Sequence, residues 1–150
     1  MFEVRRLTDL SPSALDEFVQ VSEAEGYFFV RRLAEEWASG VQRFLGPDEL
    51  LLGAFAEDRL VGTCGLTVDP FSDSHRTQRV RRMYVLPPFR RRGVGRALLQ
   101  ELIEYSASRF DALQLYAESS EAFALYESMG FVRVSEEKVT HRLALGRRAT

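Results

Sequence analysis

The sequence predicts a mixed α/β domain in which two hairpins and one crossover build a single sheet. Leu50 to Ala56 and Leu60 to Val68 are apolar runs separated by a Glu57-Asp58 turn, which reads as a hairpin with both strands near the sheet centre. Val80 to Leu86 reads as a strand; a proline-broken turn, a helix opening at Gly93 and a strand from Leu113 to Ala117 follow. Strand, helix, strand is a crossover, and crossovers favour a parallel pair. Phe131 to Ser135 and Val139 to Leu145 form a closing hairpin. At 150 residues the chain fits one domain spanning residues 1–150, large enough for a self-sufficient core.

The remaining elements follow from periodicity and punctuation. Phe2 to Leu7 alternates apolar and polar residues as a first strand does. Ser11-Pro12 supplies a cap and a first-turn proline for a helix from about Pro12 to Glu25, with Leu15, Phe18, Val19 and Ser22 on one face and Gly26 at its end. A second helical pattern runs from Tyr27 to Trp37, with Val30, Leu33, Ala34 and Trp37 in its stripe and Gly40 beyond. Tyr27, Phe28 and Phe29 exceed what one stripe needs, so they read either as core or as the wall of a substrate site. Asp69 to Thr77 is a polar loop.

The helix from Gly93 to about Arg109 carries Val94, Ala97, Leu98, Leu102 and Tyr105 on one face. Ser119-Ser120 caps the next, where Ala122, Leu125, Tyr126 and Met129 share a stripe, and Gly130 with Phe131 matches a Schellman ending. Residues Gly146 to Thr150 read as a loose tail. One irregularity stands out: Val80, Met83 and Val85 are spaced three and then two, where alternation demands two throughout. An extra residue near Arg81-Arg82, a β-bulge, restores all three to one face and splays the strand from its neighbour.

Composition narrows the function classes. With 45% hydrophobic and 28% charged residues and a net charge of -2, the chain is an ordinary globular protein without bulk attraction to nucleic acid or anionic membrane. Eight arginines nevertheless lie between Arg76 and Arg96, a local patch suited to a small anion. Cys64 is the only cysteine, so an internal disulfide is excluded, and His75 and His141 lack metal-ligand spacing, so no metal is expected. No leader or membrane-length apolar run is evident, which makes the cytoplasm the expected location.

The stretch Arg90-Arg91-Arg92-Gly93-Val94-Gly95 opens directly into a helix. A helix start presents unpaired N–H groups and partial positive charge, and glycines let a phosphate approach them. A dinucleotide fingerprint is a poor match, since its third glycine is Leu98, and a Gly-Lys-Ser/Thr phosphate loop is absent. Preceded by Met83-Tyr84-Val85-Leu86-Pro87, the loop instead resembles the acetyl-CoA signature of the GNAT superfamily of N-acetyltransferases, Q/R-x-x-G-x-G/A after a strand ending in V-x-P. Ala122-Phe123-Ala124-Leu125-Tyr126-Glu127-Ser128-Met129-Gly130-Phe131 is similar to the second family element, A-x-x-L-Y-x-x-x-G-F. Both occur in the right order, separated by a helix and a strand.

The resemblance implies a mixed, mostly antiparallel twisted sheet of about seven strands flanked by about four helices, split between the fourth and fifth strands to admit the pantetheine arm of acetyl-CoA. By position, Met83, Tyr84 and Val85 would offer backbone groups to the cosubstrate, and Arg90, Arg91, Arg92, Gly93, Val94, Gly95 and Arg96 would wrap its pyrophosphate. Tyr126 would be the catalytic acid toward the departing thiolate; its plain alternative is a stripe aromatic. Ser119 stands where many members have asparagine and joins the cofactor-binding set.

The usual glutamate positions are Arg79 and Gln114, so the general base is open, with a water chain, Glu118 or a weakly basic acceptor as the alternatives. The implied activity is acetyl transfer from acetyl-CoA to a primary amine of a small molecule or peptide. The competing reading is a non-catalytic acyl-CoA-binding module. Family members often dimerise, which leaves a homodimer open, and no nucleic-acid or membrane partner is expected.

Overall fold

The structure, a computed structural model, describes residues 1–146; of the tail expected from 146 to 150, all but the first residue lies outside them. Seven strands form one sheet in the order β1-β2-β3-β4-β5-β7-β6, with β1 at Glu3–Arg6, β2 at Leu50–Ala56, β3 at Arg59–Val68, β4 at Thr77–Val85, β5 at Ala112–Leu115, β6 at Val132–Glu136 and β7 at Val139–Ala144. Four α-helices accompany it: α1 at Pro12–Ala24, α2 at Phe29–Ser39, α3 at Val94–Ala107 and α4 at Ser120–Ser128. Every neighbouring pair is antiparallel except β4 and β5, the parallel pair that the crossover through α3 requires.

Local chemistry sets the element boundaries. The β2–β3 hairpin turns at Glu57 and Asp58, both with positive φ, the hand that matches the twist of the flanking strands. Helix α1 stops before Gly26 at φ +91°, α2 before Gly40 at φ +82°, and α4 before Gly130 at φ +99°. After α4 the Gly130 N–H donates to Glu127 O at 3.2 Å and the Phe131 N–H to Tyr126 O at 3.0 Å, the two bonds of a Schellman ending. Helix α3 buries Val94, Leu98, Leu99, Leu102 and Ser106, so its inner stripe is turned toward Leu99 and Ser106, and Ala97 and Tyr105 fall at its edge. The fully buried Phe18 on α1 and Leu98 on α3 sit on opposite faces of the sheet, and burial of each is worth roughly 1.5–3 kcal/mol.

The irregular spacing in β4 is a bulge. Leu66 pairs with Val80 and Gly62 with Val85, so five steps along β4 match four along β3. That odd step brings Val80 and Val85 to the same face. It is the α3 face: a Cβ on Gly62 would meet Val94 at 2.9 Å, and Val85 Cγ2 lies 3.8 Å from the Cβ position of Gly95. Arg82 absorbs the extra residue at φ +57°, and its carbonyl accepts a hydrogen bond of 2.8 Å from the buried Thr63 hydroxyl. On the other face lie Arg81, paired with Gly65 beside the Phe44 ring, and Tyr84, packed on Phe18.

β4 and β5 then part. Their pairing ends at Arg79 with Gln114, because each strand follows its other neighbour. β5 stays with β7 through Leu115 and His141, and the Ala117 N–H takes the Thr140 hydroxyl at 2.9 Å. β4 stays with β3 through Gly62 and Val85. The near-isosteric Thr63→Val change removes the bond to Arg82 O while keeping the buried volume. It is expected to cost about 1–3 kcal/mol in urea unfolding, the range for a buried acceptor left unpaired; a change below a few tenths would remove this bond from the account of the bulge.

Candidate active site

The parted strands open a cavity of about 1040 Å³ whose wall includes β4 from Arg79 to Val85, the Gly93–Arg96 helix start, the β5–α4 connection and Tyr126. The Leu86 N–H donates to Val61 O on β3 at 2.9 Å, so by strand alternation Val85 turns its own N–H and C=O away from β3 and into the opening. The carbonyl is already engaged by Arg90 Nε at 2.9 Å. The N–H remains directed at the cavity.

At the cavity's other end the chain reverses hand twice, with φ +62° at Arg91 and +85° at Gly93, before α3 begins. Such alternation makes a concavity of backbone N–H groups. The first helical bond runs from the Ala97 N–H to Gly93 O at 2.9 Å, and no side chain caps the helix, so the N–H groups of Val94, Gly95 and Arg96 have no acceptor within it. Nothing lies within 4 Å of a Cβ built on Gly93, whereas one on Gly95 would meet Leu125 at 3.3 Å. Gly93 therefore serves the left-handed turn, and Gly95 the approach of α4.

Three of the four loop arginines have separate neighbours. Arg90 donates to both oxygens of Glu25, at 2.8 and 2.6 Å, and its guanidinium lies 5.3 Å from the Tyr84 ring. Glu25, the last residue before Gly26, also accepts the Tyr84 hydroxyl. The Arg90 hydrogen bonds hold the Glu25 carboxyl below its ordinary range, with a smaller contribution from Tyr84, and burial pushes the Tyr84 phenol up. Arg96 donates to the Ser128 hydroxyl at 2.9 Å, and Arg92 stacks over Phe89 at 6.0 Å. Arg90, Arg91 and Arg96 line the cavity, as do Met83, Tyr84, Val85, Gly93 and Gly95. Val94 is instead buried against β3, and Ser119 lines the cavity while capping α4 through the Ala122 N–H at 3.1 Å.

Tyr126 is 5% exposed, with its ring against Phe131 and His141 at centroid distances of 5.5 and 6.3 Å. Burial pushes its phenol pKa well above the ordinary value, with the nearby Cys64 adding to the shift. The hydroxyl thus stays protonated across the neutral range. Tyr27 and Phe29 combine both sequence readings, packing on Tyr84 while lining the cavity, whereas Phe28 is 63% exposed.

The positions where a base was sought form one polar group. Arg79 and Gln114 are paired across β4 and β5, and Gln114 Nε2 donates to the buried Asp69 at 2.7 Å. Asp69 also accepts the Phe71 N–H at 2.8 Å and sits 3.7 Å from Arg79 Nη1. Sequence reasoning missed Asp69, Glu25 and Glu36 as parts of the site; Glu25 meets Arg90, Glu36 meets Arg82 and Asp69 meets Gln114 from distant stretches of chain with no local motif. Among the described residues, no group of three or more His, Cys, Asp or Glu is arranged to hold a metal, and no helix is long and apolar enough to cross a membrane.

Comparison with known proteins agrees with this architecture. The model of the acetyltransferase (GNAT) family matches residues 10–131. The N-alpha-acetyltransferase RimI of Mycobacterium tuberculosis is 30% identical over 102 residues, 65% of this chain and 61% of that protein. The chain spans 23% and 61% of the length of the first two curated relatives it matches. Among solved structures, a candidate acetyltransferase from Exiguobacterium sp. 255-15 is 28% identical with a TM-score of 0.83, over 96% of this chain and 93% of its own. The PaiA N-acetyltransferase of Thermoplasma acidophilum, solved in complex with coenzyme A, is 20% identical with a TM-score of 0.66, over 96% and 99% of the two chains.

The Glu25–Arg90 pair ties the end of α1 to the glycine loop, and its pH dependence has a definite sign. A depressed carboxyl stabilises the fold fully above its unfolded value of about 4.3 and loses that contribution as pH falls through the lower folded value. Glu25→Gln is expected to lower stability by on the order of 1 kcal/mol at pH 7. The difference from wild type should shrink toward zero under acid; a difference constant down to pH 2 would contradict the assignment.

Proposed function

The chain belongs to the acetyltransferase (GNAT) family, and we propose that it moves an acetyl group from acetyl-CoA to a primary amine by direct attack in a ternary complex. The observation that carries this reading is the opening between β4 and β5, with an inward Val85 N–H, an uncapped helix start at one end and the buried Tyr126 on its wall. The residues present fit acetyl-CoA. Free N–H groups and arginines suit a pyrophosphate, and a strand edge suits the amide-bearing pantetheine arm. Acetyl-CoA supplies an activated acyl thioester.

Each residue then has a physical task. The Val85 N–H stabilises negative charge developing on the thioester oxygen. Arg90, by holding the Val85 carbonyl and Glu25 together, keeps that donor aimed. Tyr126 faces a departing thiol of ordinary pKa about 8.5, and burial has raised a phenol whose reference value is already about 10. Full proton transfer is therefore uphill. Tyr126 acts chiefly as a hydrogen-bond donor to the thiolate.

The acceptor is best read as a weakly basic α-amine. Arg79 and Gln114 supply no base, and the carboxylates lining the cavity are Glu118 and Glu121, both on the β5–α4 side. Deprotonating a lysine-like amine at pH 7 costs about 4 to 5 kcal/mol, whereas an α-amine near 8 costs about 1 to 1.4 kcal/mol. The relative named an N-alpha-acetyltransferase supports the same acceptor class.

Thiol release from acetyl-CoA over a panel of amines tests the reaction and separates an enzyme from a binding module, which would release none. Loss of a hydrogen bond to a charged thiolate, about 1.5–3 kcal/mol, predicts that Tyr126→Phe lowers kcat about 10- to 100-fold, with acetyl-CoA affinity nearly unchanged. An unaltered kcat would remove its role. With an α-amine acceptor, kcat/KM should rise from pH 6 and level off near pH 8; a flat profile from 6 to 9 would contradict the need for deprotonation.

A further inference from the structure

The acceptor side of the cavity is more cationic than its own acids can balance. Arg32 of α2 and Arg79, Arg81 and Arg82 of β4 all line it. Arg79 and Arg81 share the face turned toward α1 and α2, since their partners Thr67 and Gly65 are two residues apart on β3. Arg82 reaches the same side through Glu36 of α2 at 3.1 Å. Arg81 lies within electrostatic reach of Arg79 and Arg32 and also of the Glu36 and Asp69 carboxylates, and Arg82 within that of Arg81, Arg32 and Glu36.

Two carboxylates answer these four guanidinium groups: Glu36 with Arg82, and Asp69 beside Arg79 at 3.7 Å. Among the described residues, neither Arg81 nor Arg32 has an ion pair or a side-chain hydrogen bond. The cluster also keeps unused donors. Arg79 is 9% exposed and its Nη2 donates to Lys138 O at 2.8 Å, yet its Nη1 has no hydrogen-bond partner. The Arg82 side chain is 8% exposed, and its Nε is likewise unpartnered. Burial holds all three β4 guanidinium groups below their ordinary pKa, the cost of gathering like charges away from water. The acids Glu118 and Glu121 belong to the β5–α4 wall, and Lys138 adds to the positive side.

We propose that this cluster is an acceptor-specificity site for a carboxylate, so that the favoured substrate is a primary amine carrying a carboxylate that Arg81 receives, with the Arg79 guanidinium adding its charge beside it. Guanidinium forks match carboxylates two donors to two acceptors. The aromatic rings of Tyr27, Phe29 and Phe71 line the same cavity, with Phe71 stacked under Arg79 at 4.8 Å. This rests on the acetyltransferase reading for what happens to the amine, though the anion site stands on the arginines alone. The carboxylate could belong to an acidic residue next to a peptide N-terminus or to a free amino acid.

Two matched pairs test the proposal: peptides Ser-Glu-Ala-Ala-amide and Ser-Gln-Ala-Ala-amide, and free glutamate and glutamine. Calorimetric binding to the protein saturated with CoA and kcat/KM with acetyl-CoA are both measured, on wild type, Arg81→Gln and Arg81→Lys. In at least one pair the acid is expected to bind tenfold or more tightly than its amide, and the responding pair identifies the source. Arg81→Gln should reduce that ratio to about twofold or less, and Arg81→Lys should keep part of it. Where turnover occurs, the preference should sit in KM rather than kcat. Equal binding of acid and amide in both pairs, or a ratio unmoved in Arg81→Gln, overturns the inference. Selective binding without thiol release would instead overturn the acetyltransferase reading and leave the anion site standing.

Discussion

One extra residue in β4 governs how the molecule presents its site. Side chains alternate along a strand, so without the insertion at Arg82 the five-residue step from Val80 to Val85 would put them on opposite faces. With it, Val80 and Val85 pack toward α3 while Arg79, Arg81 and Tyr84 face α1 and α2. A left-handed conformation in a non-glycine residue costs about 1–2 kcal/mol. The Thr63 hydroxyl on the Arg82 carbonyl and the Glu36 carboxylate on its guanidinium offset that cost. The same strand, held to β3 past the bulge while β5 is held to β7, leaves the opening in which the backbone of Val85 faces the cavity.

The two ends of that opening use positive charge differently. At the glycine loop, fixed backbone N–H groups point outward and the arginine nearest the strand, Arg90, is committed to Glu25 and the Val85 carbonyl. Its charge organises the loop, α1 and β4 rather than standing free. At the end lined by Arg32, Arg79, Arg81 and Arg82 the arrangement is reversed: the guanidinium groups outnumber their carboxylate partners and retain donors without a hydrogen bond. On the proposed reading, a thioester between these ends would meet neutral donors, the Val85 N–H and Tyr126, which suits charge that appears only during reaction.

Much of the architecture was legible because its signals are local. The Gly26, Gly40 and Gly130 stops, the Glu57-Asp58 turn and the crossover after Pro87 are each encoded within a few residues, and the uneven Val80, Met83, Val85 spacing disclosed the bulge. What escaped were pairings across long sequence separations. Nothing around Glu25 announces that it will meet Arg90, 65 residues away, and nothing around Asp69 that it will join Gln114, 45 residues away. Motif reading treated the arginines of the loop as equivalent, whereas geometry separates Arg90, turned to Glu25, from Arg96, turned to Ser128. Arg79 and Gln114 looked like the absence of a base. In three dimensions they form a bridge through Asp69 at the point where the strands part.

The central claim is that the backbone donors of the opening receive acetyl-CoA, and amide hydrogen exchange followed by NMR measures those donors one at a time. Val85, Val94, Gly95 and Arg96 have N–H groups directed at the cavity or left without a helical acceptor, whereas the Ala97 N–H is already bonded to Gly93 O. Addition of saturating acetyl-CoA is predicted to slow exchange at the first four by tenfold or more with little change at Ala97. Unaltered exchange at all four would contradict the account.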